Sequence, residues 1–269
     1  MFRTMSDNAP TLPSLHLEPH GADAFVGESP SYPWGRIYGG LVIAQALRAA
    51  TATVDPSFIV HSLHAYFILG GVPSEPVRYE VDRIRNGRSF STRLVVARQS
   101  GGAILNLSAS YQRIEEAPTL QGIEMPRTPE PAAVPQGEWE AGFDYREVPP
   151  VEGSGRSLAW GRYVAPLSND PGEHAAALAY MSDGNPMDSI LYRHPVKIGG
   201  QEHDDVFVSA SLDHAVWFHQ PVRADRWCLF DMHCSFVGGS RGIAHGSVFQ
   251  DGLLVATIAQ EGLLRLRNR

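Results

Sequence analysis

The feature that most constrains this chain is that its two halves follow the same order of predicted elements, one apolar helix and then four strands. The first helix, at 41–50, follows Gly39-Gly40, is apolar on nearly every face and is rich in good helix formers, so we expect it to be buried. The second, at 175–181, follows Pro171-Gly172, a pair suited to a helix start. Glycine-containing turns separate most of the strands, as in antiparallel hairpins. The predicted strands cover 59–69, 77–84, 90–99 and 104–112, then 206–219, 227–236, 242–249 and 253–266.

Two short segments of the halves match each other at a shift of roughly 150 positions. Leu63-His64-Ala65-Tyr66-Phe67 matches His214-Ala215-Val216-Trp217-Phe218, and Ala103-Ile104-Leu105 matches Leu253-Leu254-Val255. The pattern predicts an α+β fold in which each helix lies against the concave face of an antiparallel sheet. Two sheets that met edge to edge would also remove two exposed edges.

A proline-rich acidic segment separates the halves, with a composition typical of a linker. Within it, residues 143–148 predict a short strand. The expected units are an N-terminal unit at 14–115, a linker at 116–157 and a C-terminal unit at 158–269, the last carrying the candidate chemical site.

Charge and hydropathy exclude several classes of protein. The formal net charge of −7 argues against a general nucleic-acid binder. Apolar stretches fall short of the 18 or more residues that a membrane span needs. The amino terminus lacks an apolar secretory segment and the carboxyl terminus is not a peroxisomal tripeptide, so we expect a cytoplasmic protein.

The arginines and cysteines have ordinary expected roles. Arginines of the first half could meet phosphates, but arginines spaced along strands are more often solvated, and we expect that here for Arg83, Arg85, Arg88 and Arg93. The two cysteines, Cys228 and Cys234, lack the number and spacing of a disulfide framework or a zinc module. We expect them to be buried thiols.

Two local patterns suggest chemistry but favour a structural interpretation. The segment from Gly238 to Gly242 satisfies G-x-S-x-G, yet a strand follows it instead of a helix, so we interpret Ser240 as a turn residue. On the strand 206–219, alternation places Ser211, Trp217 and His219 on one face and His214 on the other. His214 and His219 therefore cannot share a metal ion, and we expect His214, and His64 at its repeat position, to be core histidines.

Two polar residues lie where an apolar residue would be ordinary. Asp183 directly follows the second helix, where it could be a helix-stop residue. A carboxylate beside apolar surface at a helix C-terminus would also have a raised pKa, which suits a general base. Gln260 interrupts an apolar strand and needs hydrogen-bond partners if it is buried; its repeat equivalent is expected at Ser110.

Over nearly its whole length outside the linker, the sequence resembles the acyl-CoA thioesterase II family, whose members are double hotdog proteins. Five short segments carry the resemblance; no single one of them is specific for the family, but their combination is. The segments that carry the resemblance are 38–46, 61–67, 87–93, 211–219 and 259–262.

The resemblance implies a site, a substrate and a reaction. The family's water-activating aspartate, threonine or serine, and glutamine fall on Asp183, Ser211 and Gln260, with serine in place of the threonine of some members. We expect direct hydrolysis of acyl-CoA by water, without covalent intermediate, metal or organic cofactor. The oxyanion donor would be either a backbone N–H near a helix start or the Gln260 amide.

An apolar tunnel between helix and sheet is expected to hold the acyl chain. Candidate lining residues are Phe67, Trp217 and Phe218, which could equally belong to the core. The first half would help to shape this tunnel and the CoA entrance, and a homo-oligomer is expected.

Two alternatives stay open. A hotdog hydratase or dehydratase acts on related thioesters with acidic and imidazole groups, and fold alone does not separate it from a thioesterase. A non-catalytic acyl-CoA binding protein is the other, although a binder has no need of a buried base.

Overall fold

The computed structural model describes residues 14–137, 143–151, 153–197 and 203–267. In these ranges there are four α-helices, α1 Gly39–Thr51, α2 Pro171–Ser182, α3 Gly184–Arg193 and α4 His203–Val206, and a 3-10 helix at Pro131–Ala133. The strands before residue 120 are β1 Glu18–Pro19, β2 Ala24–Gly27, β3 Phe58–Phe67, β4 Val77–Asn86, β5 Phe90–Gln99 and β6 Gly102–Arg113. Those after it are β7 Phe143–Glu147, β8 Arg156–Tyr163, β9 Phe207–Ser211, β10 Asp213–Phe218, β11 Cys228–Gly238, β12 Arg241–Gln250 and β13 Leu253–Leu266.

The strands form one antiparallel sheet to which both halves contribute. Its order is β1-β2-β4-β5-β6-β3-β10-β13-β12-β11-β8-β7, and β9 pairs with β13. The halves meet edge to edge where β3 pairs with β10, with Ala215 opposite His64. The strand order on one side of this junction, β2-β4-β5-β6-β3, is matched strand for strand by the order β8-β11-β12-β13-β10 on the other side.

Helices α1 and α2 lie in the interior, as predicted, with nearly every residue from Gly40 to Ala50 and from His174 to Ser182 buried. They pack with the start of α1 beside the end of α2. A Cβ atom placed on Gly40 would lie 2.2 Å from the carbonyl oxygen of Tyr180. Because no side chain fits in that space, glycine at position 40 allows the two helix ends to approach each other.

The predicted strands are confirmed within a few residues, and the short strand predicted at 143–148 is β7. Strand β8 and helix α3 were not predicted. α3 opens on Gly184-Asn185-Pro186, which the sequence presents as turn residues. It begins directly after α2, so Asp183 ends α2, as a helix-stop residue would, and also precedes α3.

Arg93 is not solvated, contrary to the prediction. Its side chain is 1% exposed, and its guanidinium donates to the hydroxyl and carbonyl oxygens of Thr53, just beyond the end of α1. Further hydrogen bonds go to the carbonyls of Arg85 and Thr92 and to the Asn86 side chain. A cation here satisfies oxygens at the helix C-terminus, where the helix dipole favours positive charge.

The repeat equivalences of His214 and Gln260 also need correction. His64 is exposed and packs edge to face on Trp217, with ring centroids 5.1 Å apart. The aligned segments place Leu63, and not His64, at the position of His214, and Leu63 is buried as His214 is; it lies opposite Ala109. Ser110 instead bonds His61 and is only partly buried.

The cysteines are both free thiols. Cys228 is buried, and burial raises the pKa of its thiol to about 12. Cys234 is only partly buried, so the prediction of two buried thiols is right for one of them.

Candidate active site

Asp183, Ser211 and Gln260 converge inside the sheet, at the point where the two helix ends meet. Asp183 lies between α2 and α3, Ser211 ends β9, and Gln260 belongs to β13. Ser211 Oγ donates to Asp183 Oδ1 at 2.8 Å, and Gln260 Nε2 donates to Ser211 Oγ at 3.0 Å. The structure thus brings together the three residues that the resemblance had singled out.

The carboxylate of Asp183 is buried, and burial raises its pKa to about 6. Hydrogen bonds from Ser211, from the backbone N–H of Gly40 and from Gln260 oppose that rise. Of the two causes expected from the sequence, desolvation is the main one. Asp183 is also the residue before the start of α3, where the helix dipole has the opposite sign to that at the end of α2. A carboxylate of this kind is ionised at neutral pH and is a stronger base than an exposed aspartate.

Gly39 gives Asp183 its access to open space. A Cβ atom placed on Gly39 would lie 2.6 Å from Asp183 Oδ2. With Oδ1 occupied by Ser211, the lack of a side chain at Gly39 keeps the other oxygen approachable from the cavity that both residues line. In the sequence, the pair Gly39-Gly40 is a signal of close backbone approach as well as of a helix start.

The Gln260 amide has its two N–H groups engaged. One donates to Ser211 Oγ, and the other to the backbone carbonyl of Asp183 at 3.2 Å. Its Oε1 atom faces His214 Nδ1 at 2.5 Å. Since an amide nitrogen has two protons, Gln260 is fully used in positioning its neighbours.

His214 is a core histidine, as predicted, and it extends this network away from the cavity. Gln260 Oε1 is an acceptor, so Nδ1 of His214 carries the proton, and Nε2 then accepts from Ser182 Oγ at 2.8 Å. Burial lowers the pKa of His214 to about 4, which leaves the ring neutral. Both ring nitrogens have partners within the protein.

Ser211 faces inward because the strand is interrupted at Leu212. Simple alternation had placed Ser211 with Trp217, on the face opposite to His214. Leu212 belongs to neither β9 nor β10; its N–H bonds Glu261 and its carbonyl accepts from Phe67. This irregularity shifts the alternation by one residue, so that both Ser211 and His214 reach Gln260.

An open cavity of about 770 Å³ lies beside the three residues, between the start of α1, helix α3 and strand β9. Phe67 lines it as predicted, but Trp217 lies on the outer face of the sheet beside His64, and Phe218 packs against the core. The cavity wall comprises Trp34, Arg36, Ile37, Tyr38, Gly39, Val42, Phe67, Ile68, Leu69, Gly70, Gly71, Ile104, Asp183, Gly184, Met187, Asp188, Leu191, Ser209, Ala210, Ser211 and Leu212.

The other candidates lie elsewhere. Ser240 occupies the hairpin turn between β11 and β12 with φ of 59°, in line with its interpretation as a turn residue. His219 is remote from His214 and bonds Thr257. In the described ranges, no three His, Cys, Asp or Glu side chains are grouped as metal ligands, and no helix is long and apolar enough to cross a membrane.

Sequence comparisons identify the family of this chain. Residues 29–112 match the profile of the acyl-CoA thioesterase N-terminal domain, and residues 116–264 that of the acyl-CoA thioesterase C-terminal domain. Human acyl-coenzyme A thioesterase 8 is 35% identical over 94% of this chain and 88% of its own length. Acyl-CoA thioesterase 2 of Haemophilus influenzae is 31% identical over 93% of this chain and 95% of its own.

Solved structures give the same result. The acyl-CoA thioesterase II TesB2 of Mycobacterium marinum superposes with a TM-score of 0.80 at 36% identity, covering 94% of this chain and 96% of that one. A protein of Alicyclobacillus acidocaldarius described as having a hot dog fold superposes with a TM-score of 0.77 at 20% identity, over 94% and 97% of the two chains. The chain has an α+β hotdog fold and belongs to the acyl-CoA thioesterase II family.

Proposed function

We propose that this protein is a hydrolase that cleaves acyl-CoA thioesters to a free carboxylic acid and CoA, with Asp183 as general base. The observation that carries the proposal is the contact of Ser211 and Gln260 with a buried aspartate at the wall of an open cavity. Family membership over both halves of the chain supports the substrate class.

The proposed reaction needs one water molecule and no covalent enzyme intermediate. Asp183 takes a proton from the water through Oδ2 while Ser211 holds Oδ1 and keeps the carboxylate in one orientation. The water oxygen attacks the thioester carbonyl carbon and forms a tetrahedral oxyanion. When the oxyanion collapses, the C–S bond breaks and the CoA thiolate recovers the proton from Asp183.

The oxyanion donor is best sought at the start of α1. Gln260, one of the two candidates from the sequence, has its N–H groups directed to Ser211 and to the carbonyl of Asp183. The first turn of a helix has N–H groups without partners inside the helix, and Gly39 brings that turn to the cavity wall. Within this turn the N–H of Gly40 bonds the Asp183 carboxylate and that of Leu41 bonds the Tyr38 carbonyl, so the N–H of Gly39 is our proposed donor.

The hydratase alternative is weaker than hydrolysis because the imidazole that such a reaction would use is occupied. His214 is 0% exposed, is absent from the cavity wall, and bonds Gln260 and Ser182 through its two nitrogens. A non-catalytic binder is weaker too, because a buried carboxylate costs folding free energy that binding alone does not require.

The test is the release of free thiol from a panel of acyl-CoAs by the wild type, Asp183→Asn, Ser211→Ala and Gln260→Ala. We expect Asp183→Asn to reduce kcat by at least ~100-fold, since a positioned general base contributes about 10²–10⁴-fold. Smaller losses are expected for Ser211→Ala and Gln260→Ala, which leave the carboxylate in place.

The panel also separates the alternatives. Unchanged turnover in Asp183→Asn would eliminate it as the base. Hydration of an enoyl-CoA without thiol release would favour the hydratase, and tight acyl-CoA binding with no product would favour the binder.

Three finer features complete the proposal. The strand orders on the two sides of the β3–β10 junction match each other, and this match supports two fused hotdog units, a double hotdog. A cytoplasmic location and a homo-oligomeric state are the expectations from the sequence. Cell fractionation tests the location, and light scattering after size-exclusion chromatography tests the oligomeric state.

A further inference from the structure

A second carboxylate faces the same cavity. Asp188 lies on helix α3, five residues after Asp183, which corresponds to about 7.5 Å of helix rise. Met187 and Leu191 flank it on the cavity wall. The wall opposite comes largely from the first half and is mostly apolar, with Ile37, Val42 and Phe67 among its members.

Asp188 is held in place by a tyrosine. Tyr145 Oη donates a hydrogen bond to Asp188 Oδ2 at 3.0 Å. Among the described residues, Tyr145 is the donor that contacts this carboxylate. Glu147 and Tyr192 bond each other nearby, outside the cavity wall. Burial, together with the charge of Glu147, raises the pKa of Asp188 to about 7.

A plain alkyl chain is a poor occupant of the space beside this group. Covering a carboxylate with methylene groups removes water from it without supplying a donor, which costs free energy. A carboxylate accepts more than one hydrogen bond, and Tyr145 supplies one, so acceptor capacity is left toward the cavity. An acyl group that carried a donor at this depth would turn the cost into a favourable contact.

We propose that Asp188, positioned by Tyr145, accepts a hydrogen bond from a hydroxyl group on the acyl chain, so that hydroxyacyl-CoA thioesters are preferred to unsubstituted ones of equal length. This inference rests on the proposed thioesterase function. It makes Asp188 a specificity residue that touches substrate away from the carbonyl carbon, distinct from the base Asp183.

The experiment compares kcat/KM for hexanoyl-CoA, 3-hydroxyhexanoyl-CoA and 6-hydroxyhexanoyl-CoA, with spontaneous thiol release subtracted. At pH 8, where Asp188 is largely ionised, we expect at least one hydroxyacyl substrate to exceed hexanoyl-CoA by about tenfold or more in the wild type, since a hydrogen bond to a charged group has that effect on affinity. In Asp188→Leu that ratio should fall to about one or below, because the hydrogen bond to the hydroxyl group is lost.

Two further variants separate recognition from folding. Tyr192→Phe disturbs the neighbouring pair without touching the cavity wall and should keep the wild-type ratio. If Asp188→Leu does not fold, Tyr145→Phe serves in its place, because it releases the Asp188 carboxylate and should lower the ratio by several-fold.

The outcomes are distinct from those for the proposed function. Hydrolysis of all three substrates with equal ratios in wild type and Asp188→Leu overturns this inference and leaves the thioesterase intact. Equal loss on all three substrates in Asp188→Leu also overturns it, because that result assigns Asp188 a general role. No thiol release by the wild type from any acyl-CoA would overturn the proposed function itself.

Discussion

At the scale of single residues, the burial of Asp183 couples its basicity to the stability of the fold. The carboxylate has a pKa of about 6 in the folded protein against an ordinary value of 3.8. Because the folded state holds the proton more tightly than the unfolded state, the contribution of Asp183 to stability is largest below pH 3.8 and declines as the pH rises through 6.

Activity should change with pH in the opposite direction to this stability contribution, since it should increase as Asp183 loses its proton. We expect kcat/KM to fall about tenfold for each pH unit below 6, because the base is then protonated. A pH profile measured with a good substrate tests this. A profile flat down to pH 4.5 would show that no carboxylate with a raised pKa takes part.

Asp183→Asn provides the matching stability measurement. The variant lacks the titration, so its stability relative to the wild type should increase by about 2.4 kcal/mol between pH 4 and pH 8, since the unfolded state is already partly ionised at pH 4. Urea unfolding of both proteins at the two pH values measures this difference. A constant offset between the two proteins would mean that the carboxylate is not desolvated.

His214 is expected to act through Gln260. Leucine is a suitable replacement, since the aligned segments place the buried Leu63 at the equivalent position of the first half. His214→Leu leaves Gln260 Oε1 without its donor, and we expect kcat to fall by roughly tenfold while the acid limb of the pH profile stays near 6. The double variant with Gln260→Ala should be no slower than Gln260→Ala alone. Additive losses would show that His214 acts by another route.

At the scale of elements, Arg93 is the residue that completes the end of helix α1. Its guanidinium bonds the hydroxyl and carbonyl of Thr53, two oxygens on the neighbouring strand β4 and one on its own strand β5. Arg93→Met leaves those buried acceptors unpaired, and we expect a loss of about 3 kcal/mol in the free energy of unfolding. Arg88→Met, which removes an exposed arginine in the turn between β4 and β5, is the control and should change stability by less than ~0.5 kcal/mol. Equal effects would mean that the Arg93 bonds contribute nothing net.

The site depends on where elements end. Asp183 stands between two helices, Gly39 at the start of a third, and Ser211 at the end of β9. Such ends bring backbone N–H groups and side chains to one place, and the irregularity at Leu212 turns Ser211 inward. A regular strand through Leu212 would have put that hydroxyl on the outer face.

At the scale of the whole molecule, the two halves share both a sheet and a helix pair. Strands β3 and β10 pair across the junction, and α1 packs on α2. The cavity wall takes residues from both halves. Neither half therefore encloses the cavity alone.

This shared core predicts a single cooperative unfolding transition. Calorimetry of the whole chain should give one peak, because separating the halves would expose the β3–β10 edges and the helix contact at once. Two resolved transitions would show that the halves are independent units joined by a linker. Trp217→Ala, on the outer face at the junction, should lower Tm without splitting the peak.

The sequence by itself determined the elements and their repetition. Apolar helices, alternating strands and glycine turns are local patterns, so α1, α2 and the long strands were predicted within a few residues. Asp183 and Gln260 stood out because each is polar in an apolar setting, and Ser211 was found only through resemblance to a family.

Only the tertiary structure decided what these residues contact. The exposure of His64, the burial of Arg93, the inward turn of Ser211 and the place of Asp188 beside Tyr145 each depend on contacts between segments far apart in the chain. Periodicity describes one element at a time and assumes that it is regular. A break such as that at Leu212 is stabilised by hydrogen bonds from neighbouring strands, and those neighbours exist only in the folded protein.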